Sequence, residues 1–338
     1  MLQYLVILLD DTSTSYCHYK NTKTERHLIS IDDLKAGVFW GMKENLMIQF
    51  VYPDYELPQD YQDVIETIDH SKIMPSSAGT NDADVIVFNN WKDLVGYTFK
   101  DKASYVLRAS KEDLFAQQAL IKSAFNKVSR LNVVVTDMET FTDGDFERYK
   151  AMLAEWGKEL AHIYAGGGSI QLNLLTDRMM LDEMNNCGAG VNNITLAPDG
   201  KFYVCPAFYH AGVCDNSEIS LGEQCQKGYS VGSLKEGLDI KNQQLYQFDH
   251  APLCRKCDAY QCKRCVWLNR KTTYEVNTPS REQCVMAHIE RNTSRELLAE
   301  IRKHGAFMPN KEIKEIEYLD PFEVKDSLDA NIVNDEQR

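Results

Sequence analysis

Apolar residues in the first half of the chain fall into short, near-continuous runs, separated by stretches in which they recur every three or four positions. The runs at 4–9, 46–51, 85–88, 105–107, 131–136 and 170–175 predict strands, and their unbroken apolar character is that of strands buried on both faces of a parallel sheet. The intervening periodic stretches predict helices. Residues 31–42 open with Asp32 and Asp33 in the first turn, and 111–125 place Leu114, Ile121 and Phe125 near one face. The strongest pattern lies at 145–164, where Phe146, Tyr149, Leu153, Trp156, Leu160 and Ile163 share a face and Gly166, Gly167 and Gly168 stop the helix. Strand and helix alternation of this kind predicts a parallel α/β domain.

After about residue 186 the texture changes to short strands, turns and cysteines. Residues 194–197, then Pro198-Asp199-Gly200, then 201–204 predict a β-hairpin, because Asp-Gly supplies the positive φ of a tight turn. Cys205 then ends a strand. A last helix is expected over 294–303, with Thr293 and Glu296 as a capping box, and the residues beyond about 320 are expected to fray. No repeat of solenoid period is present.

At 338 residues the chain has room for two ordinary domains. With 43% hydrophobic and 26% charged residues its composition is that of a globular protein. The apolar run at 4–9 falls far short of the ~20 residues a spanning helix needs, and no basic segment precedes it. A cytoplasmic protein without a membrane partner is expected. The net charge of −13 repels nucleic acid over most of the surface. Part of the imbalance sits in residues 305–338, where nine acids face four bases, as in a solvated tail.

The cysteines carry the chemistry. Nine of the ten fall between Cys187 and Cys284, too few for a disulfide scaffold and too clustered for chance. In a reducing compartment such clustering points to thiolate ligands of a metal. The order is Cys187, Cys205, a gap, Cys254-x2-Cys257-x4-Cys262-x2-Cys265, a second gap, and Cys284. Two CxxC pairs also suit zinc, although a zinc ribbon usually separates its pairs by ~15 to 20 residues and only four lie between Cys257 and Cys262. Cys214 and Cys225 lie in an insertion after the hairpin, either as loop thiols or as a further ligand or redox pair. His210, His250 and His288 lie near these cysteines in sequence and are not assigned as ligands. Arg255, Lys256, Lys263 and Arg264 flank the thiols and favour ionised sulfur.

The segment CGAGVNNITLAPDGKFYVCPAFYH, from Cys187 to His210, together with the later cysteines, resembles the SPASM domain of radical SAM peptide-modifying enzymes. Each of the intervals Cys257–Cys262 and Cys262–Cys265 is one residue shorter than that family's usual pattern. The resemblance implies two [4Fe-4S] clusters: Cys254, Cys257, Cys262 and Cys284 would hold one, and Cys187, Cys205 and Cys265 the other, whose fourth iron lacks a motif ligand. A thiolate of the substrate, or Cys214 or Cys225, could complete it.

Radical SAM enzymes carry CxxxCxxC after the first barrel strand, and here that place reads Asp10, Asp11, Thr12, Ser13, Thr14, Ser15, Tyr16, Cys17, His18, Tyr19. Asp10 and Thr14 stand where the first two cysteines would be, so only Cys17 survives. Where a Gly-Gly-Glu is expected after the second strand, the chain reads Tyr52-Pro53-Asp54-Tyr55-Glu56. Cys17 beside His18 does not make a nucleophile–base pair, since adjacent side chains on an extended chain point apart and no third group is identifiable. The first domain therefore resembles a degenerate radical SAM barrel, and the chain as a whole is most similar to the CXXX repeat peptide maturase family. The fold class implied is α/β: a degenerate partial (β/α) barrel of radical SAM type over 1–180, a small cysteine-rich SPASM-like Fe–S domain over 187–290, and a C-terminal helix and acidic tail over 291–338. The function implied is an auxiliary iron–sulfur protein in maturation of a cysteine-rich ribosomal peptide, acting with a radical SAM enzyme and without binding S-adenosylmethionine itself. The rival expectation is a non-catalytic precursor-peptide binding module with structural Fe–S or zinc sites.

Overall fold

The computed structural model describes residues 2–79, 82–211, 228–309 and 311–314. The first apolar run forms β1 (Tyr4–Leu8), and its side chains alternate between two buried faces. Val6 and Leu8 join Val51, Ile73, Val87 and Val106 in one apolar cluster. Leu5 and Ile7 join Leu34, Val38, Ile48 and Phe50 in another. Burial on both faces is why the strand reads as an unbroken apolar run.

Around β1 the chain lays down β2 (Met47–Val51), β3 (His70–Pro75), β4 (Val85–Phe88), β5 (Ser104–Ala109), β6 (Arg130–Val135), β7 (Gln171–Leu172), β8 (Asn193–Leu196) and β9 (Phe202–Tyr203). They form one nine-stranded sheet in the order β7-β6-β5-β4-β3-β2-β1-β8-β9. Every pairing is parallel except the β8–β9 hairpin. The sheet thus ends in two edges, β7 and β9, which is the topology of a partial barrel, and the fold is α/β as expected. Gly200 takes φ +72 in the hairpin turn, as the Asp-Gly pair predicts.

The helices are α1 (Ile31–Lys43), α2 (Gln59–Ile65), α3 (Lys111–Ala116), α4 (Gln118–Lys122), α5 (Asp143–Ala165), α6 (Asp177–Met180), α7 (Pro206–His210), α8 (Val266–Thr273) and α9 (Arg281–Lys303). On α1, Gly37 and Gly41 sit over Leu196 and Ile48, and a Cβ at either would collide with those side chains. Thr142 caps α5 in a reciprocal box with Asp145. Among the described residues no helix is long and apolar enough to cross a membrane.

Four local expectations differ from the structure. The last helix begins thirteen residues before 294, capped by Ser280, whose side chain accepts from Gln283 N. Thr293 lies inside it with its hydroxyl turned back onto Ile289 O. The expected capping box is therefore an interior turn. The periodicity was hidden because the buried face of α9 carries Gln283, Glu290, Arg291, Thr293 and Ser294 among its apolar residues. The helix expected over 111–125 is broken at Gln117, which leaves helical geometry at φ −109, ψ 17. Strand β3 was not expected, since only Ile73 and Pro75 of it are buried. The strand expected at 170–175 shortens to two residues, because Thr176 hydroxyl and amide both turn back to Leu172. The expected fraying beyond 320 concerns residues outside those described.

Candidate metal centres

Four of the seven motif thiols hang on the chain between β11 (Gly237–Leu238, paired with β10, Gly232–Ser233) and α9, Cys284 lies in the first turn of α9, and Cys187 and Cys205 flank the β8–β9 hairpin. The main chain folds them into two groups. Cys187 N donates to Lys263 O at 3.0 Å, which ties the segment before β8 to the loop that ends in Cys265. Cys205, directly after β9, is the N-cap of α7, with Pro206 in the first turn. Cys265 is the N-cap of α8, and its sulfur accepts from Leu268 N at 3.5 Å. Backbone N–H groups at a helix start favour negative charge on such a sulfur. Electrostatically, Cys205 and Cys265 feel each other and Cys187.

The second group is Cys254, Cys257 and Cys262. Successive tight turns build it, with Cys254 N on Ala251 O, Cys257 N on Cys254 O and Cys262 N on Ala259 O. Sulfurs here also accept backbone N–H groups, from Ala259 to Cys257 at 3.4 Å and from Arg264 to Cys262 at 3.5 Å. Cys284 stands in the first turn of α9, one turn before His288, whose Nε2 lies 3.6 Å from Cys257 Sγ. Residues four apart share a helix face, so Cys284 is on the face of α9 that meets the Cys257 turn.

Burial is the dominant influence on these thiols. It pushes Cys254 up to about 11 and Cys262 up to about 12, and raises Cys205 and Cys265 strongly, with neighbouring thiols adding to the shift in every case. The Arg264 guanidinium opposes the shift at Cys254. Arg264 itself is buried, held in a left-handed backbone conformation (φ +45), and donates from Nε to Asn186 Oδ1 at 3.0 Å and from Nη2 to Tyr246 O. Of the other flanking cations, Lys263 acts on Cys17 and Cys187, whereas Arg255 is exposed.

Crowded, desolvated thiols ionise only together with a cationic partner, and thiol-rich donor sets select soft metals or Fe–S clusters. The donors present therefore fit a cluster of iron and sulfide in each group. Among the described residues no three His, Cys, Asp or Glu side chains converge as ligands of one ion do. The eight described cysteines are thiols and not disulfides. Cys214 and Cys225 lie outside the described residues.

Three residues that sequence reasoning did not assign to these groups lie beside them. Cys17, 170 positions before Cys187, stands with Cys187, Cys205 and Cys265, and their charges act on one another. His288 meets Cys257, and His210, also unassigned from sequence, is buried with its ring stacked on Tyr19 at 5.4 Å. The only sequence signal for Cys17 was its place in the loop after β1.

That loop is otherwise rebuilt from polar side chains. Asp10 is fully buried and accepts from Thr12 N at 2.8 Å, while Ser13 Oγ donates to Val51 O at 2.8 Å. Thr14 N donates to Tyr52 O at 3.0 Å, and Asn89 Nδ2 reaches Thr14 Oγ1 at 3.3 Å. Asp10 and Thr14 thus anchor the loop to the strands beneath it.

A nine-stranded partial barrel with this strand order and a cysteine-rich extension is a radical SAM-type fold. The chain is similar in structure to anSMEcpe, an anaerobic sulfatase-maturating enzyme. It matches anSMEcpe with bound AdoMet at a TM-score of 0.57, 10% identity, 90% coverage of this chain and 96% of that one. It matches anSMEcpe with bound AdoMet and a Cp18Cys peptide at a TM-score of 0.55, 12% identity, and 89% and 99% coverage. No protein-family model and no curated protein matches the sequence. The fold implied by the resemblance to peptide maturases is therefore the fold observed, and at this identity the likeness is one of fold.

Proposed function

We propose that the chain is an auxiliary iron–sulfur protein of peptide maturation, working beside a radical SAM enzyme on a cysteine-rich precursor peptide with repeated Cys-x-x-x units. The observation that carries the reading is the partition of the motif thiols into Cys187, Cys205 and Cys265 on one side and Cys254, Cys257 and Cys262 on the other, with Cys284 presented by α9 to the second. Each group would hold one [4Fe-4S] cluster. Such clusters, when bound, supply one-electron transfer and thiolate-binding iron. The chain's own residues orient the sulfurs at turns and helix starts, set Arg264 against the second group and exclude water by burial. The corresponding division of labour is a barrel over 1–180, a ligand-bearing unit over 187–290 and an appended segment over 291–338.

Two further points support a peptide as substrate. The chain shares its fold over nearly the whole length of anSMEcpe, which has been solved with a peptide bound. Its acidic balance of fifty acids to thirty-seven bases disfavours nucleic acid. A second reading, in which the metal sites only staple a peptide-binding module, draws support from Asp258, beside Cys257, whose buried ion pairs fasten the cysteine turns to α6 and α9.

Anaerobic purification followed by iron and acid-labile sulfide assay tests the proposal. About eight irons and eight sulfides per chain are expected, falling to about four of each in Cys254→Ala. Stoichiometric zinc without sulfide would overturn it.

A further inference from the structure

The thiol set of Cys187, Cys205 and Cys265 is one ligand short of a four-thiolate site, and the loop after β1 is fastened onto α7, the helix that Cys205 begins. Tyr19 stacks on His210 with the planes 8° apart, and Tyr209 hydroxyl donates to Asp11. Lys23 Nζ lies 3.7 Å from the centre of the Tyr209 ring. From the other side Arg108, on β5, donates from Nε to Cys17 O at 3.1 Å and from Nη2 to Tyr19 O. His18 Nδ1 is 3.0 Å from Val135 O, so the neighbours of Cys17 are pinned on both sides. Tyr16 packs into the same apolar cluster as Cys187 and Cys205. Cys17 itself keeps solvent-accessible surface.

We propose that Cys17 is the fourth ligand of the cluster held by Cys187, Cys205 and Cys265. The last cysteine of a lost radical SAM motif would then serve the cysteine-rich unit instead. Ligation would be a simple substitution: the thiol would give its proton to solvent, its sulfur lone pair would form the bond to iron as a solvent ligand leaves, and no electron would change hands. Arg108 and Lys263 oppose the upward push that burial and then Cys187 exert on the Cys17 thiol. Closing the site from within also removes the vacancy that a substrate thiolate, Cys214 or Cys225 would otherwise fill.

This inference rests on the iron–sulfur reading above, and the test separates the two. The full chain is purified without oxygen as wild type, Cys17→Ala, Cys17→Ser and the Cys214→Ala/Cys225→Ala double variant. Iron and sulfide are assayed, and the dithionite-reduced paramagnetic spectra are compared with and without cyanide, a small ligand for open iron sites. Wild type is expected to ignore cyanide. Cys17→Ala is expected to respond at one cluster only and, after mild oxidation, to drop from about eight to about seven irons by losing its unligated iron. Cys17→Ser, which keeps size and an oxygen donor, is expected to shift that signal if the alanine variant does not fold. A cyanide response in wild type, Cys17 variants indistinguishable from it, or an open site produced only by the double variant would each overturn the inference while leaving the iron–sulfur reading intact. Absence of iron and sulfide in wild type overturns both.

Discussion

Glu290 shows how one buried side chain adjusts to its surroundings. It lies on the inner face of α9, accepts from Tyr149 hydroxyl at 2.7 Å and from Gln261 Nε2 at 3.2 Å, and faces Cys262. Burial outweighs both hydrogen bonds and lifts its pKa from 4.5 to about 7. A carboxyl raised in the folded state contributes stability that is complete below about 4.5 and is lost as pH rises through about 7. The amount involved is on the order of 3 kcal/mol. Glu290→Gln keeps the shape and removes the titration, and the buried Gln261 Oε1, which has no hydrogen-bond partner among the described residues, offers an acceptor for the new amide. Thermal unfolding followed from pH 5 to pH 8 should show wild type losing stability and the variant nearly flat, with the variant the more stable at pH 8. A wild type that gains stability over that range would contradict the assignment. Charge on Glu290 pushes the Cys262 thiol further up, which ties this residue to the sulfur next to it.

At the scale of elements, the cysteine turns are joined to the barrel by Asp258. Its carboxylate meets Arg291 of α9 at 2.9 Å, Arg178 of α6 at 3.6 Å and Arg295 at 3.5 Å, and Arg178 Nε also donates to Asp258 O at 3.0 Å. Asp258, Arg178 and Arg291 are all buried. Removing the acid leaves buried guanidinium groups without their counter-charge, a change that costs roughly 3–5 kcal/mol. Asp258→Ala should therefore lower the urea midpoint strongly, whereas Asp239→Ala, an exposed acid paired with Lys241, should leave it almost unchanged. Equal midpoints for the two variants would mean the network carries no net stability. This junction was not legible in the sequence, because three arginines and an aspartate spread over 118 positions show no pattern until the chain is folded. The elements around it were legible to different degrees. Strands β1, β4 and β5 are buried on all but one residue each and announced themselves, as did α5 with its six-residue apolar face. Helix α9 buries polar side chains alongside Met286 and Leu297, so its first half left no apolar rhythm to read. The motif cysteines were legible from spacing alone, whereas Cys17 joins them only through tertiary contact.

The whole molecule is a radical SAM-like partial barrel whose first loop is held by polar side chains. A site-open cluster needs three thiolates converging from one loop, and that loop here offers Cys17 alone. Asp10 and Thr14 are committed elsewhere: Asp10 is fully buried and caps the turn through Thr12, and Thr14 is bonded to Tyr52 O, Asn89 and Tyr19. Both groups are oxygen donors, poorly matched to the soft iron of a cluster. The segment after β2 is likewise occupied, with Tyr52 buried and Tyr55 covered by the Arg26 guanidinium at 4.1 Å. The expected outcome is that the reconstituted chain, mixed with S-adenosylmethionine and dithionite without oxygen, releases no 5′-deoxyadenosine above the background from free iron and sulfide. Chromatographic quantification of that nucleoside checks it, with Cys17→Ala as the internal comparison. If Cys17 serves the neighbouring cluster, the variant changes the iron spectrum while nucleoside release stays at background. Turnover in wild type that disappears in Cys17→Ala would show instead that the barrel mouth still builds an S-adenosylmethionine-cleaving centre from a single thiolate.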